Sequence, residues 1–572
     1  MPRTRYAALA GLAAGAVTLG VAALTAGLVS ASAEPLVAVG ATFVDATPGW
    51  LKDLAIAAFG TADKLALTVG SVVVLAGLAA LAGVLAARRW AFGAALVVLL
   101  GAVGALAAAS RPDAGLLAPV PSLVGALAGL LVLRWLVDRL PGRARAAGAP
   151  PAGARTDPAG DAFLVSAAGT GTAAGAATGT DTAPPAAGPP RTAVADPAGA
   201  DPAASTEPAP STDPAGATDR RSFLRLTGAL AVGGALAVVA GRTLGAGRRA
   251  VEAVRETLRL PTATRTAALP AGVDSGVPGV DPWVTRNSTF YRIDTALTVP
   301  RVDPTTWSLR VHGLVEREVT LTFDELLGSD LVEAWVTLAC VSNEVGGDLV
   351  GNARWLGLPV RELLERAGPL PDADMVLSTS ADGFTASTPI EALTDDRDAL
   401  LAVGMNGEPL PVEHGFPVRM VVPGLYGYVS ATKWVVDLEV TRFADAKAYW
   451  TVRGWSERGP VKTQSRIEVP RHATQLAAGR VVVAGTAWAQ HRGVEGVEVR
   501  VDDGPWKRAT LAADGGIDTW RQWTYAWDAT PGDHELQVRA SDPDGPQTAD
   551  VARVVPDGAT GYHAVRVKVT DA

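Results

Sequence analysis

The sequence contains a single cysteine, Cys340, in 572 residues. One cysteine excludes an intrachain disulfide framework, a CxxC zinc site, a cysteine-held iron–sulfur cluster and a CxxCH haem attachment. Charged residues make up only 19% of the chain and the net charge is -8, so no basic surface is available to hold a nucleic acid. Nucleic-acid binding is therefore disfavoured, and the lone thiol needs an explanation.

Histidine is also scarce, and none of the six histidines precedes His312. The apolar N-terminal part of the chain therefore lacks the pair of imidazoles that usually holds a haem between helices. Its long apolar segments also lack the carboxylates and histidines of a proton relay. We expect no haem in this chain, and we expect the N-terminal region to act as an anchor or assembly surface.

Long apolar runs are abundant at the N-terminus. A membrane-spanning helix needs about 20 apolar residues, and four segments satisfy this: Tyr6–Val29, Leu65–Ala87, Trp90–Ala109 and Pro119–Val137. Residues 1–142 are therefore predicted to be a four-helix transmembrane region. Arginines gather before the first segment, between the second and third, and after the fourth, which by the positive-inside rule places both ends of this region in the cytoplasm.

Residues 143–219 are almost wholly Ala, Pro, Gly, Thr, Asp and Ser. Such a segment has too little large apolar surface to offset the entropy of ordering, so we predict a disordered cytoplasmic linker. Residues 220–225, RRSFLR, then open an apolar segment that reaches about residue 245 and resembles a twin-arginine export signal. Alternatively, these arginines are ordinary flanking charges of a fifth transmembrane helix. Both interpretations place the following domain outside the cytoplasm, and cleavage after the segment stays open.

The second half of the chain has a globular composition, with twelve of the fifteen tryptophans after Leu260. Residues 262–446 combine short β-branched runs with one clear helix, Val360–Ala367, which indicates an α+β domain. Residues 447–572 show only strand signals with turns between them, which favours an all-β, immunoglobulin-like sandwich. The predicted fold class is thus multidomain: an all-α transmembrane bundle, an α+β domain and an all-β sandwich.

Cys340 ends an apolar run, WVTLAC, and precedes a polar, glycine-rich stretch. A strand end that opens onto a loop is a usual place for chemistry. The thiol could be an inert buried group, a nucleophile or a ligand of a transition metal. A nucleophilic thiolate outside the cytoplasm oxidises readily unless something holds it, whereas a metal would explain why one unpaired cysteine is present.

Residues 403–424, VGMNGEPLPVEHGFPVRMVVPG, followed by Lys433 and Trp434, closely resemble the signature of the sulfite oxidase family of molybdopterin enzymes. The segment NARW at 352–355 is similar to the one that follows the metal-binding cysteine of that family, and the tail resembles its dimerisation domain. The resemblance covers about residues 280–570. It implies a molybdenum–molybdopterin cofactor, a small-molecule substrate, an unidentified electron-transfer partner and a two-fold homodimer.

The resemblance also implies which residues form the site. Cys340 would bind the molybdenum, and Arg292 and Trp455 would be catalytic with it. The anionic cofactor needs cations and amide or imidazole donors. The implied cofactor-binding residues are Asn287, Tyr291, Arg292, Cys340, Asp382, His414, Arg419, Ser430, Ala431, Thr432 and Lys433. From the residues alone, His414 and Arg419 could equally form a structural network, and Asp382 could be an ordinary turn residue.

Two positions depart from the family pattern. Asp294 occupies the place of a histidine, and Trp455 occupies the place of a tyrosine near the substrate. A carboxylate would repel an anion, although Arg292 could offset much of this, and an indole cannot replace a phenolic hydroxyl. We therefore expect low specificity for sulfite and better turnover of a neutral sulfoxide-like compound. The sequence thus predicts a membrane-anchored, exported enzyme of two-electron oxygen-atom transfer. The alternative is a non-catalytic surface scaffold that binds partners through its β-sandwich.

Overall fold

The computed structural model describes residues 2–29, 33–47, 63–111, 114–141, 215–244, 246–296 and 298–571. The predicted linker at 143–219 lies almost entirely outside these ranges. Residues up to Leu140 and those from Arg225 onward belong to one compact unit. All contacts given below lie within that unit.

The apolar segments of the first half are helical. The helices are α1 (Pro2–Val29), α2 (Pro35–Ala46), α3 (Asp63–Arg88), α4 (Trp90–Ala109), α5 (Val120–Asp138), α6 (Ala215–Leu244) and α7 (Ala246–Thr257). Within the described residues, α1, α3, α4, α5 and α6 are long and apolar enough to cross a membrane. This agrees with the four predicted segments and the fifth one after RRSFLR. Helix α2 was not predicted, and its 12 residues are too few to span.

Small residues set how the long helices pack. A Cβ on Gly20 of α1 would lie 2.5 Å from the carbonyl oxygen of Gly234 in α6, and one on Gly27 would lie 2.8 Å from that of Gly241. From the first contact to the second, the residue number rises by seven in α1 and by seven in α6, so the two helices run parallel. Close backbone approach at glycine is the usual way for helices to associate in lipid.

The other long helices alternate in direction. Gly83 of α3 packs on Ala7 and Gly11 of α1, whereas Gly15, further along α1, packs on the earlier Ala79. These pairs make α1 and α3 antiparallel, and equivalent contacts make α5 antiparallel to α1 and α4 antiparallel to α3 and α5. The N-terminus of α1, the α3–α4 junction and the C-terminus of α5 therefore lie at one end of the bundle.

The region predicted to be α+β contains both element types. Its strands are β1 (Ser308–Gly313), β2 (Val319–Thr322), β3 (Val332–Ala339), β4 (Val350–Pro359), β5 (Met375–Ser380), β6 (Thr385–Pro389), β7 (Leu400–Met405), β8 (Glu408–Pro409), β9 (Arg419–Val421) and β10 (Val435–Thr441). Its helices are α8 (Phe323–Leu327), α9 (Val360–Ala367), α10 (Glu391–Thr394) and α11 (Gly427–Ser430). The helix predicted at Val360–Ala367 is confirmed as α9.

These strands form two sheets. The first has the order β2-β1-β10-β5-β6, with β1 and β10 parallel and the other pairs antiparallel. The second is antiparallel, in the order β3-β4-β7-β8 with β9 also on β7. One face of α9 fills the space against this framework with Val360, Leu363 and Leu364, all fully buried. The sheet that contains β3 is the one that carries Cys340.

The remaining strands belong to the tail. They are β11 (Gln464–Val469), β12 (Gln475–Ala477), β13 (Gly479–Trp488), β14 (Gly496–Val501), β15 (Lys507–Arg508), β16 (Thr510–Leu511), β17 (Arg521–Ala529), β18 (Gly532–Asp542), β19 (Gly545–Pro546) and β20 (His563–Thr570). They form one sheet in the order β11-β13-β17-β16 and another in the order β12-β20-β18-β14-β15. Apart from a 3-10 helix at Thr451–Arg453, the regular elements described in the predicted tail are strands.

The tail covers the exposed edge of β3. The backbone N–H of Thr337 donates to the carbonyl of Asp518 at 2.9 Å, and the Thr337 hydroxyl accepts from the backbone N–H of Trp520 at 2.8 Å. The indoles of Trp283 and Trp520 donate to each other's backbone carbonyls. Edge strands need such cover because their free backbone groups would otherwise pair with other chains.

Candidate functional site

Cys340 follows the last residue of β3 and is only 8% exposed. The backbone N–H of Ser342 lies 3.4 Å from Cys340 Sγ, the geometry of a weak hydrogen bond. Burial raises the pKa of the thiol. Because burial disfavours a bare thiolate, a soft metal cation is the kind of partner that would stabilise the thiolate at this position.

The loop after Cys340 is braced by the tail sheets. Arg466 on β11 donates to the backbone carbonyl of Gly347 at 2.9 Å. Gly346 has a φ of +80° and lies against the ring of His563, so no side chain would fit there. The tail therefore fixes the loop that presents the thiol.

Cys340 lies in a cleft of about 910 Å³, a volume that includes the solvent at its mouth. Most of the predicted site residues line this cleft. They are Tyr291, Cys340, Asp382, His414, Arg419, Ala431, Lys433 and Trp455. The fold thus brings together side chains from the segment before β1, the end of β3, the β5–β6 turn, β9 and the segments that flank β10.

Arg419 is a buried cation of the cleft. Its Nη1 donates to the carbonyl of His414 at 3.2 Å and its Nε to the carbonyl of Met420 at 3.3 Å. Burial lowers the pKa of Arg419 to about 10. In the part of the chain that the structure describes, no carboxylate pairs with this guanidinium. Its guanidinium also lies 5.0 Å from the ring centre of Trp355. A buried cation held by carbonyl oxygens and a ring face is suited to bind an anion.

Lys433 and His414 add two further nitrogen groups. Lys433 Nζ donates to Asp294 Oδ2 at 2.9 Å, and burial lowers the pKa of Lys433 to about 8. His414 Nε2 lies 3.0 Å from the carbonyl oxygen of Asn287, which only accepts, so this nitrogen carries the proton. Burial, with the neighbouring Arg419, lowers the pKa of His414 to about 4, and its imidazole is neutral at pH 7.

The charge of Asp294 is balanced within the protein. Its carboxylate accepts from Arg292 Nε and from Lys433 Nζ, each at 2.9 Å, and its side chain is 5% exposed. The sequence-based expectation that Asp294 repels an anionic substrate therefore loses its basis, because two cations compensate the charge. Arg292 itself lines a neighbouring cavity and not the Cys340 cleft.

Three other predicted cofactor residues, Asn287, Ser430 and Thr432, do not line the Cys340 cleft, and Asn287 lines the same second cavity as Arg292. The side-chain amide of Asn287 is occupied by the carbonyl of Met405 and by Asn406. The hydroxyl of Ser430 donates to backbone carbonyls of its own turn, and that of Thr432 hydrogen-bonds another buried hydroxyl. These side chains shape the backbone that bears His414, Ala431 and Lys433.

Tyr428, Trp450 and Trp455 form what we call the aromatic wall of the cleft. The ring centre of Trp455 lies 5.7 Å from that of Tyr428 and 5.9 Å from that of Trp450. The Tyr428 hydroxyl donates to the carbonyl of Ser456 at 2.9 Å. Sequence reasoning missed Tyr428 and Trp450, although the first stands between Gly424 and Lys433 of the family signature and the second is five residues before Trp455.

The donor set fits an organic metal cofactor. Among the described residues, no three His, Cys, Asp or Glu side chains come together as a metal site, so a metal bound at Cys340 must take most of its ligands from elsewhere. Arg419, Lys433 and His414 supply the cationic and donor surface that an anionic pterin requires. The fold and this site define a molybdopterin-type oxidoreductase.

A family model and two curated relatives agree with this class. Residues 296–450 match the family described as "Oxidoreductase molybdopterin binding domain". The chain is 29% identical to human mitochondrial sulfite oxidase over 303 residues, 45% of this chain and 55% of that protein. It is 33% identical to the oxidoreductase YuiH of Bacillus subtilis (strain 168) over 157 residues, 27% of this chain and 76% of that protein. The solved structure of the sulfane dehydrogenase SoxCD from Paracoccus pantotrophus aligns at 24% identity and a TM-score of 0.44, covering 51% of this chain and 82% of that one.

The chain belongs to the sulfite oxidase family of molybdenum-dependent oxidoreductases, and its cofactor is molybdenum–molybdopterin. It spans about half the length of the mammalian sulfite oxidases that it matches. The resemblance found in residues 403–424 is therefore confirmed at the level of family, enzyme class and cofactor.

Proposed function

We propose that this chain is a membrane-anchored, exported oxidoreductase that transfers an oxygen atom to or from a small sulfite- or sulfoxide-like compound. One observation carries the proposal: Cys340 shares a cleft with the buried Arg419, which has no carboxylate partner among the described residues, and with the aromatic wall. The thiol can ligate the metal and the cation can bind an anionic group of the cofactor. The apolar ring faces favour contact with an uncharged substrate.

Five of the lining residues have a role in binding the cofactor in this scheme. Cys340 holds the molybdenum, while Arg419, Lys433 and neutral His414 bind the anionic parts of the pterin, with the backbone around Ala431. When bound, the cofactor supplies the two-electron chemistry and the protein supplies binding and orientation. Arg292 acts indirectly, because its hydrogen bond to Asp294 orients the carboxylate that also holds Lys433.

The aromatic wall favours a neutral or weakly charged substrate. Trp455, Trp450 and Tyr428 offer ring faces and an indole edge, and the Tyr428 hydroxyl is engaged by Ser456. No further arginine lines the cleft among the described residues besides Arg419. We therefore rank a sulfoxide above sulfite, on the aromatic wall and no longer on the charge of Asp294.

The anchor is the helix bundle of residues 1–142 with the fifth helix at 220–245. The helix directions put the N-terminus, the Arg88–Arg89 junction and the end of α5 on one side. These are the arginine-rich ends, so the positive-inside rule assigns that side to the cytoplasm. The catalytic domain (262–446) and the immunoglobulin-like tail (447–572) then lie outside, reached through the twin-arginine-like segment.

The tail would form a two-fold homodimer, as in the family, and an unidentified partner would exchange electrons with the cleft. A non-catalytic scaffold is the competing function. It would use the tail sheets to bind a partner and would not need the cleft.

The test is cofactor analysis of the purified full chain and of two variants. Wild type is expected to contain molybdenum and pterin and to reduce dimethyl sulfoxide with a reduced viologen dye. Cys340→Ser should lose the molybdenum signal and all turnover, because a hydroxyl is a poor replacement for a thiolate ligand. Trp455→Phe should keep molybdenum and alter turnover alone. Wild-type protein with neither molybdenum nor pterin would favour the scaffold.

A further inference from the structure

The turn between α4 and α5 contacts the catalytic half. Arg111 lies two residues after the end of α4, and its Nη2 donates to the backbone carbonyl of Asp382 at 2.9 Å. The two residues are separated by 271 positions in the sequence. A residue of the apolar bundle thus reaches the wall of the Cys340 cleft.

Asp382 lies in the tight turn between β5 and β6. Ser380, Asp382 and Phe384 all line the cleft. The backbone N–H of Gly383 donates to the carbonyl of Ser380 at 2.9 Å, and that of Phe384 donates to Asp382 Oδ1 at 3.2 Å. Because these bonds tie the turn together, a shift of the Asp382 carbonyl would move the lining side chains with it.

The base of Arg111 is also well fixed. The backbone N–H of Ser110 donates to the carbonyl of Leu106 at 2.9 Å, and the carbonyl of Arg111 accepts from Ala114 at 3.0 Å. Behind this turn lies a cluster of buried alanines from α2, α4 and the segments next to them: Ala33, Ala38, Ala107, Ala108 and Ala118. The guanidinium therefore projects from a packed base, and it can hold the carbonyl in place.

We propose that Arg111 is a positioning residue, through which the bundle holds the Asp382 turn in its substrate-binding geometry. Its hydrogen bond to a carbonyl is charge-assisted, but the side chain is partly exposed to solvent, so we expect its loss to change an equilibrium by about five- to tenfold, as for an ordinary hydrogen bond. The bundle then anchors the catalytic half and also supplies a residue that holds one wall of the cleft. This inference rests on the proposed function only in taking the cleft as the substrate site.

The test compares the full, cofactor-loaded chain with Arg111→Ala, Arg111→Lys and Arg88→Ala. Arg88 is an exposed arginine at the end of α3, next to the start of α4. It is about 30 Å from Arg111, since α4 has 20 residues. The first readout is backbone amide hydrogen exchange in residues 381–384. The second is KM and kcat for dimethyl sulfoxide with a reduced viologen dye.

Arg111→Ala is expected to speed exchange in the turn and to raise KM about five- to tenfold with kcat nearly unchanged. Arg111→Lys should recover part of both effects, because one ammonium donor can still reach the carbonyl. Arg88→Ala should match wild type. Wild-type exchange in Arg111→Ala would overturn the contact, and faster exchange at unchanged KM would overturn the positioning role. If wild type does not turn over dimethyl sulfoxide, the ranking of a sulfoxide above sulfite fails, and KM and kcat are then measured with sulfite and an oxidant. If wild type turns over neither compound, the proposed function fails, and wild-type exchange in Arg111→Ala would still overturn the positioning role.

Discussion

The bundle and the catalytic half are held together by opposite kinds of side chain. In the bundle, glycine and alanine bring helix backbones into contact, as between Gly20 and Gly234. In the catalytic half, large residues such as Trp355, Phe416 and Leu309 are fully buried. In water, the hydrophobic effect drives large apolar side chains together. Lipid provides no such driving force, so helices in a membrane associate through close van der Waals contact at small residues. Packing through small residues is what the proposed membrane setting of the bundle requires.

The largest expected effect comes from blocking export of the catalytic half, so that this half no longer reaches its proposed environment. Replacing both Arg220 and Arg221 by Lys should leave the catalytic half in the cytoplasm and remove nearly all external activity, if a twin-arginine pathway carries the folded, cofactor-loaded domain. Activity of intact cells against that of lysed cells measures it. The control replaces Arg88 and Arg89 by Lys, another arginine pair at a predicted cytoplasmic end. Normal external activity in the Arg220/Arg221 variant would make these arginines simple flanking charges.

The second prediction concerns the stability of the catalytic half when a large buried side chain is removed. Leu363 is fully buried on α9, whereas Leu370 is 37% exposed just after it. Leu363→Ala should cost about 3 kcal/mol of unfolding free energy, because it removes apolar burial and leaves a cavity. Leu370→Ala should cost less than about 0.5 kcal/mol. Denaturant unfolding followed by tryptophan fluorescence measures both, and equal costs would contradict a tightly packed core.

Sequence reasoning located most of the site because the signature is local. Residues 403–433 supplied His414, Arg419 and Lys433, and all three line the cleft. It stopped where tertiary contacts decide. The neighbouring Arg292 could be expected to offset Asp294, but nothing local shows that the distant Lys433 also holds this carboxylate, or that Arg292 lines a different cavity. Tyr428 was overlooked because only the charged and polar residues of its motif were considered as cofactor ligands. Arg111 was overlooked because its partner, Asp382, is 271 positions away in the sequence.

The fold shows the same division. Apolar length predicted the long helices, and α9 was predicted to the residue, because periodicity and composition are local properties. The short α2 was missed, since a segment of 12 residues has no clear membrane signature. The pairing of β1 with β10, more than 100 residues later, could not be read from either strand alone.

The third prediction concerns the stability of the bundle when a large side chain is introduced between two helices. A Cβ on Gly83 of α3 would overlap the backbone of Ala7 and Gly11, whereas one on Gly77 of the same helix meets nothing within 4 Å. Gly83→Leu should therefore destabilise the bundle by about 2 kcal/mol, as overpacking does, and Gly77→Leu should not. Thermal unfolding of the full chain in detergent, followed by helical circular dichroism, distinguishes them. If Gly77→Leu lowers the midpoint as much as Gly83→Leu, the assigned α1–α3 contact is wrong.

The smallest expected effect lies in the tail and concerns pH. Burial, with Arg466 and His472 nearby, lowers the pKa of His563 to about 4, while its Nδ1 accepts from the backbone N–H of Ile467 at 2.9 Å. Since the unfolded chain binds this proton near pH 6.5 and the folded chain does not, stability is full above that pH and falls as the pH drops toward 4. We expect a loss of about 1 kcal/mol, because a half-buried ring is partly screened.

His534 provides the matched control, because its shift has the opposite sign. Its hydrogen bond to Asp502 raises the pKa of His534, so its contribution is present below pH 6.5 and is lost as the pH rises through the folded-state value. Thermal midpoints measured at pH 4.5 and 7.5 separate the two. His563→Gln should reduce the acid destabilisation, since its carbonyl can still accept from Ile467, whereas His534→Gln should enlarge it, because it removes a contribution that is present at acid pH. If His563→Gln keeps the full acid loss, the loop braced by His563 around Gly346 is not what senses the proton.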